Sequence, residues 1–187
     1  MAALARDGNV LGALSLVVAD QLSDAVAAAT DQSLTAAAAL SALDHFADGC
    51  SIDRLRRILG LTSSGTVRLV DRLVAAGEVR RREGPNGRTT SVALTAAGRR
   101  AAGRVTAARA TVLEDALEDL SPAERADLER LAARVLDGVV RRKLARESES
   151  TRWICRLCDL GACGRAEGRC PAATAATAAQ AAAASRP

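Results

Sequence analysis

Tyrosine is absent from this 187-residue chain, and phenylalanine, tryptophan, methionine and histidine occur once each. With so few aromatic groups the core has to be built from leucine, valine and alanine, which suits packed helices better than a β-sandwich. One histidine, His45, and no phosphate loop leave no nucleophile–base constellation, so an enzyme is not expected. No segment reads as long and apolar enough to span a membrane. Residues 1–30 imitate a signal peptide, because Arg6 precedes an apolar run from Val10 to Ala19. Asp7 in the would-be basic region, with Asp20 and Asp24 directly after the run, argues against export. Val10, Leu14, Val17 and Gln21 fit an amphipathic helix instead. A cytoplasmic protein is expected.

Lysine is nearly absent too: Lys143 is the only one, and every other cation is arginine. Arginine abundance alone says little, but its distribution does. Residues 1–50 hold one Arg against six acids, residues 51–104 twelve Arg against four acids, and residues 105–187 thirteen cations against twelve acids. The middle block therefore carries a net +8 within a chain of net +4. A concentrated positive block is an electrostatic footprint for phosphate.

That block coincides with the most strongly patterned stretch, Ser51 to Thr95. Ser51 is a helix N-cap, and Ile52, Leu55, Ile58 and Leu59 recur at helical spacing. Gly60 supplies a tight turn, and Thr62 caps a second helix. Thr66, Leu69, Val70 and Leu73 fall at i, i+3, i+4 and i+7, which marks one buried face. Glu78 to Arg82 reads as a strand with a basic end, Asn86-Gly87 as a hairpin turn, and Thr89 to Leu94 as the returning strand. Two short helices followed by a basic-tipped hairpin make a winged helix-turn-helix.

In the second helix, Thr62, Ser63 and Ser64 combine free backbone N–H groups, hydroxyls and the positive dipole end, which suits phosphate or base edges. Gly65 lets the backbone come close. Val67 lies off the buried stripe and is placed to touch a thymine methyl. Arg68 and Arg72 share the outward side, with Arg68 assigned to guanine or phosphate. Thr66 is counted both with the buried stripe and with the DNA-contacting set. Arg80, Arg81 and Arg82 are assigned to phosphate.

The sequence LGLTSSGTVRLVDRLVAAG followed by VRRREGPNGRTTSVALTAAGR resembles the MarR family of bacterial winged-helix regulators, over about Leu34 to Arg142. The resemblance implies a two-fold dimer whose layer of long helices flanks the winged helix. It implies double-stranded DNA as partner, and a small-molecule effector in the pocket between dimer layer and winged helix. It also implies that Asp71 supports the wing by pairing with an arginine, Arg88 by position, which enters or flanks the minor groove. The family's wing usually reads Asp-x-Arg, and Asn86 replaces that Asp here.

Outside that stretch, Leu34 to Phe46 reads as a helix capped by Ser33 or Thr35, with His45 partly buried near its end. Cys50 reads as a small half-buried thiol or, at a helix start, a reactive one. A long helix is expected from Thr95 to about Leu120. A second starts at the capping box Ser121-Pro122-Ala123-Glu124 and runs to about Arg146, with Leu128, Leu131, Val135, Leu136 and Val139 as its stripe.

Four of the five cysteines, Cys155, Cys158, Cys163 and Cys170, lie in a C-x2-C-x4-C-x6-C run with glycines at 161, 164 and 168. Clustered cysteines in a cytoplasmic protein bind metal or do redox chemistry more often than they form structural disulfides. Four thiolates suit tetrahedral Zn²⁺, and they equally suit an iron–sulfur cluster; metal-free thiols are the third reading. Trp153, Ile154 and Leu157 are expected to dock this segment on the final helix.

The expected layout is mostly α: an N-terminal dimer helix (1–33), the winged helix-turn-helix (34–95), C-terminal dimerisation helices (96–147), a Cys-rich metal-binding segment (148–171) and a disordered Ala-rich tail (172–187). The expected function is a homodimeric transcriptional regulator, a repressor of a pseudo-palindromic operator, sensing metal or redox state through its cysteines. The alternatives are a small-molecule-responsive regulator with a structural cysteine site, and an iron–sulfur redox protein not acting on DNA.

Overall fold

The computed structural model of the chain describes residues 5–83, 90–146 and 154–184. Helix α1 (Arg6–Thr30) leads into α2 (Leu34–Ala42), which continues through a π-helical turn, Leu43–Ala47. Strand β1 (Cys50–Ser51), α3 (Ile52–Leu59), α4 (Ser63–Ala75), β2 (Val79–Glu83) and β3 (Thr90–Leu94) form the winged helix. Helices α5 (Ala96–Asp115) and α6 (Pro122–Arg146) follow, then a 3-10 turn (Ile154–Leu157) and α7 (Pro171–Ala184).

Helix starts are set by short polar side chains. Ser33, Ser51, Thr62 and Thr95 each accept a hydrogen bond from the backbone N–H three residues on, a cap worth about 1 kcal/mol. Ser33 rather than Thr35 caps α2. Ser121 and Glu124 exchange bonds of 2.9 and 3.4 Å, completing the capping box. Gly60 ends α3 at φ 66°, the left-handed region in which glycine costs nothing.

The sheet is antiparallel with order β1-β3-β2, in a register running from Val79 opposite Leu94 to Glu83 opposite Thr90. Strand β1, two residues long, pairs Cys50 with Val92 and was not expected from the sequence. Leu40, Leu55, Ile58, Leu69, Leu73 and Val92 sit at the centre of a single main core with no more than 1% exposure.

The backbone of the winged helix makes its closest approach to α5 at Gly98, beside the Ala101 and Ala102 contacts with the main core. A Cβ added to Gly98 would lie 1.9 Å from the Glu78 backbone oxygen, so only glycine admits this approach. Beside it, the Thr95 hydroxyl donates to the Gly77 carbonyl at 2.7 Å and caps α5 by accepting from Gly98 N–H at 3.0 Å. The Glu78 carboxylate is buried here and accepts from Gln32 Nε2 at 3.0 Å. Burial raises its pKa above the usual carboxylate range, with Arg104 opposing.

Three expectations need correction. Helix α1 is long and apolar enough to cross a membrane by length and composition. Nothing charged stands between Asp7 and Asp20, so the two later aspartates do not shorten the run enough. The Ala-rich tail forms helix α7, packed on α6: Pro171 occupies the first helical position, and Ala172 and Ala175 bury against Val140, Leu136 and Leu144. Helix α5 ends at Asp115, five residues before Leu120.

Candidate nucleic-acid interface and the cysteine segment

Helix α4 divides sharply into two faces. Thr66, Leu69, Val70 and Leu73 are buried. Thr62, Ser63, Ser64, Val67, Arg68, Asp71 and Arg72 are exposed, so the helical period read from sequence puts the candidate contacts on the free side. Thr66 is the exception. It is 0% exposed and its hydroxyl donates to the Thr62 carbonyl at 2.9 Å, which removes it from the set able to touch DNA.

The first turn of α4 is organised by Thr62, whose Oγ1 accepts from Gly65 N–H at 3.1 Å and lies 3.4 Å from Ser64 Oγ. A Cβ at Gly65 would come within 3.0 Å of that same oxygen, so this glycine makes room for the cap. Continuing along the helix from Gly65, Arg68, Asp71 and Arg72 line an open groove against Ser33 and Thr35 beside the start of α2.

The three strand arginines separate by the period of two. Arg81 shares a face with Val79, which packs into the core beside α4, and its Nη2 reaches Asp71 Oδ1 at 2.5 Å. Among the described residues the partner of Asp71 is Arg81. Arg88, assigned that part by resemblance, and Asn86 lie outside the described residues. Arg80 and Arg82 are exposed on the opposite face from Arg81.

His45 is half-buried in the π-helical turn, and its Nε2 is shielded from solvent without a hydrogen-bond partner among the described residues. Cys50 is 7% exposed, and burial pushes its thiol pKa up, so it is a packing residue of β1.

The cysteine segment divides between two supports. Ile154 packs on the small core of α6 and α7, which also takes in Cys163 and the buried Cys170. Leu157 turns the other way, against the main core and against the cluster of Val26, Ala37 and Val105. The expectation that Leu157 docks on the final helix is corrected accordingly: its seat is where α1, α2 and α5 meet the winged helix. Arg156 lines a small crevice there with Leu34, Thr35, Ala38 and Leu59. Trp153 lies outside the described residues.

Cys155 and Cys158 are neighbours in a tight turn, closed by Cys158 N–H donating to the Cys155 carbonyl at 3.0 Å. Hydrogen bonding from the Cys158 thiol, opposed by burial and helped by the Arg165 guanidinium, brings Cys155 down to about 6. Arg165 Nη1 stands 3.7 Å from the Cys155 sulfur. The same pairing, with burial, raises Cys158. The Cys163 thiol donates to the Leu160 carbonyl at 3.6 Å. Among the described residues no three His, Cys, Asp or Glu side chains are grouped to hold a metal ion. The four cysteines are close along the chain but are not drawn to one point.

A MarR-family model matches residues 30–88. The chain is similar to a solved probable transcriptional regulator from Pseudomonas aeruginosa, at 27% identity over 66% of this chain and 95% of that one, with a TM-score of 0.53. It is similar to RV1404 from Mycobacterium tuberculosis at 27% identity, 73% and 95% coverage and a TM-score of 0.59. Apo MarR from E. coli shares 22% identity, 72% and 99% coverage and a TM-score of 0.62. No curated protein matches. The matched length of these structures leaves part of this chain unpaired.

Proposed function

We propose that the chain is a MarR-like winged-helix transcriptional regulator that works as a two-fold dimer repressing from a pseudo-palindromic operator. The observation that carries the reading is the exposed face of α4. Ser64, Val67, Arg68 and Arg72 are exposed there, with Arg80 and Arg82 of β2 adding positive charge nearby in the fold. The apolar side of the same helix is buried.

Two long helices support the dimer. Val10, Leu11, Leu14 and Val17 on α1, and Leu128, Leu131, Val135 and Val139 on α6, are between 39% and 57% exposed. Exposed apolar residues in such number mark an association surface. Covering them with a second copy gives the apolar face of α1 a protein partner, in keeping with a proposed site of action in the cytoplasm. A two-fold axis would set two α4 helices one DNA turn apart, ~34 Å. Selection of bound duplexes from a random pool tests this: an inverted repeat should emerge, and recovery of no preferred sequence would reject it.

For the cysteine segment the proposed role is sensing. The C-x2-C-x4-C-x6-C spacing supports Zn²⁺ on Cys155, Cys158, Cys163 and Cys170, with an iron–sulfur cluster as the other metal reading. Closing all four around one ion requires Cys163 to release the Leu160 carbonyl and Cys170 to leave its buried seat. Zinc would be colourless with four sulfurs at ~2.3 Å by X-ray absorption; a cluster would be brown. Protein purified without oxygen that holds neither zinc nor iron would reject the metal centre.

A further inference from the structure

We propose that Cys155 and Cys158 form a reversible oxidation site for hydroperoxides, and that closing it as a disulfide loosens the winged helix through the two residues it encloses, Arg156 and Leu157. The inference rests on the regulator reading and specifies the chemistry of its sensor when the thiols are free of metal.

The geometry is that of a dithiol. The i to i+3 turn of Cys155 and Cys158 holds their Cα atoms within the reach of a disulfide, which spans about 4.4–6.8 Å. Both side chains are half-exposed, so a small oxidant reaches them. The guanidinium 3.7 Å from the Cys155 sulfur marks it as the attacking group. The remaining two thiols are engaged elsewhere, Cys163 with the Leu160 carbonyl and Cys170 in the core of α6 and α7.

The step balances without a further co-reactant. The Cys155 thiolate attacks the outer oxygen of the hydroperoxide. A sulfur–oxygen bond forms, the O–O bond breaks, and the alkoxide leaves as an alcohol after taking a proton. Cys155 is then a sulfenic acid. The Cys158 thiol attacks that sulfur, the disulfide forms, and hydroxide leaves with the Cys158 proton as water. Two thiols are oxidised and one peroxide is reduced.

The consequence follows from what lies between the sulfurs. Leu157 bridges the main core and the α1, α2 and α5 cluster, and Arg156 lines the crevice above Leu59 of α3. Drawing the two sulfurs into a covalent bond tightens the turn and lifts both residues from that seat. Helix α2 then loses a contact that fixes the winged helix against the dimer layer.

The test uses the full chain, reduced and stripped with a chelator, treated with one equivalent of hydrogen peroxide. Peptide mass spectrometry should find a Cys155–Cys158 disulfide. Operator affinity should fall about tenfold and return with dithiothreitol. Hydrogen exchange should quicken in α2. Cys158→Ser should stop at the Cys155 sulfenic acid and lose most of the affinity change. Leu157→Ala should weaken affinity without oxidant and respond less to it. Thiols that stay free, a disulfide through Cys163 or Cys170, or a Cys155–Cys158 disulfide that changes neither affinity nor exchange would overturn the proposal. So would stoichiometric zinc, retained on purification, that holds both thiols against peroxide. If reduced protein binds no operator, the regulator reading fails, and exchange in α2 still decides the switch.

Discussion

Helices α4 and α7 are nearly equal in length, at 13 and 14 residues, yet they are held in place by different means. Helix α4 begins at a hydroxyl cap and buries Thr66, Leu69, Val70 and Leu73. Helix α7 buries alanines, Ala172 and Ala175, against the side of α6. A leucine-anchored helix moves only with the domain, whereas an alanine-anchored one detaches at little cost. The difference suits the two tasks proposed for them: the first would present a fixed surface, and the second belongs to a segment proposed to change state.

The largest effect expected from this comparison is in stability. Leu73→Ala should cost about 2–5 kcal/mol in urea unfolding. Deleting the chain after Arg146 should leave the main unfolding transition of the winged helix in place, lowered by much less. Equal losses from the two changes would erase the distinction.

On DNA, Arg68→Ala should weaken operator binding by about 1–3 kcal/mol and relax base preference. Arg88→Ala should weaken binding to all sequences and flatten the salt slope by about one unit. Truncation after Arg146, which removes Leu157 from its seat, should weaken binding only modestly and should neither relax base preference nor flatten the salt slope. Unchanged affinity in both arginine variants would show that the exposed face of α4 and the hairpin are not the contact surface.

Thr62→Ala and Gly65→Ala act on the same cap, one by removing the hydroxyl and the other by pressing on it. Each should lower thermal stability by about 1 kcal/mol, and the double variant by less than the sum. Full additivity would mean that the cap is not shared.

The smallest effect concerns pH. Burial raises the Glu78 pKa, so its protonated form is favoured in the fold. The stability this gives is complete below the ordinary carboxylate pKa and is lost as pH rises through the raised value. Glu78→Gln keeps a partner for Gln32 and should remove that fall, read as a flatter stability curve across mildly acid pH. An unaltered curve would place Glu78 outside the pH response.

Much of the winged helix was legible because its signals are local. Ser51 and Thr62 lie at the positions where caps were expected, and the Leu69, Val70, Leu73 stripe repeats with the helix. What was missed depends on partners distant in sequence. Strand β1 is too short to show a period and exists through Val92. Gly98 looks like an ordinary helical glycine until the Glu78 carbonyl is placed against it. Arg80, Arg81 and Arg82 read as one basic cluster, and only the burial of Val79 shows which of them turns to Asp71. In the tail, alanine composition reads as disorder, because the surface that receives it, Val140 with Leu136 and Leu144, belongs to another helix. The cysteine spacing identifies a cluster of thiols, but which sulfur faces which is set by Leu157 and Ile154 packing on opposite supports.

The central claim is that two copies of the exposed α4 face read one DNA site together. Its most direct test is the stoichiometry and footprint of the full chain on a selected duplex, measured by analytical ultracentrifugation and hydroxyl-radical cleavage. Two chains per duplex, with protected half-sites one helical turn apart and affinity falling steeply with salt, are the expected result. One chain bound to a single half-site, or binding indifferent to salt, would contradict it.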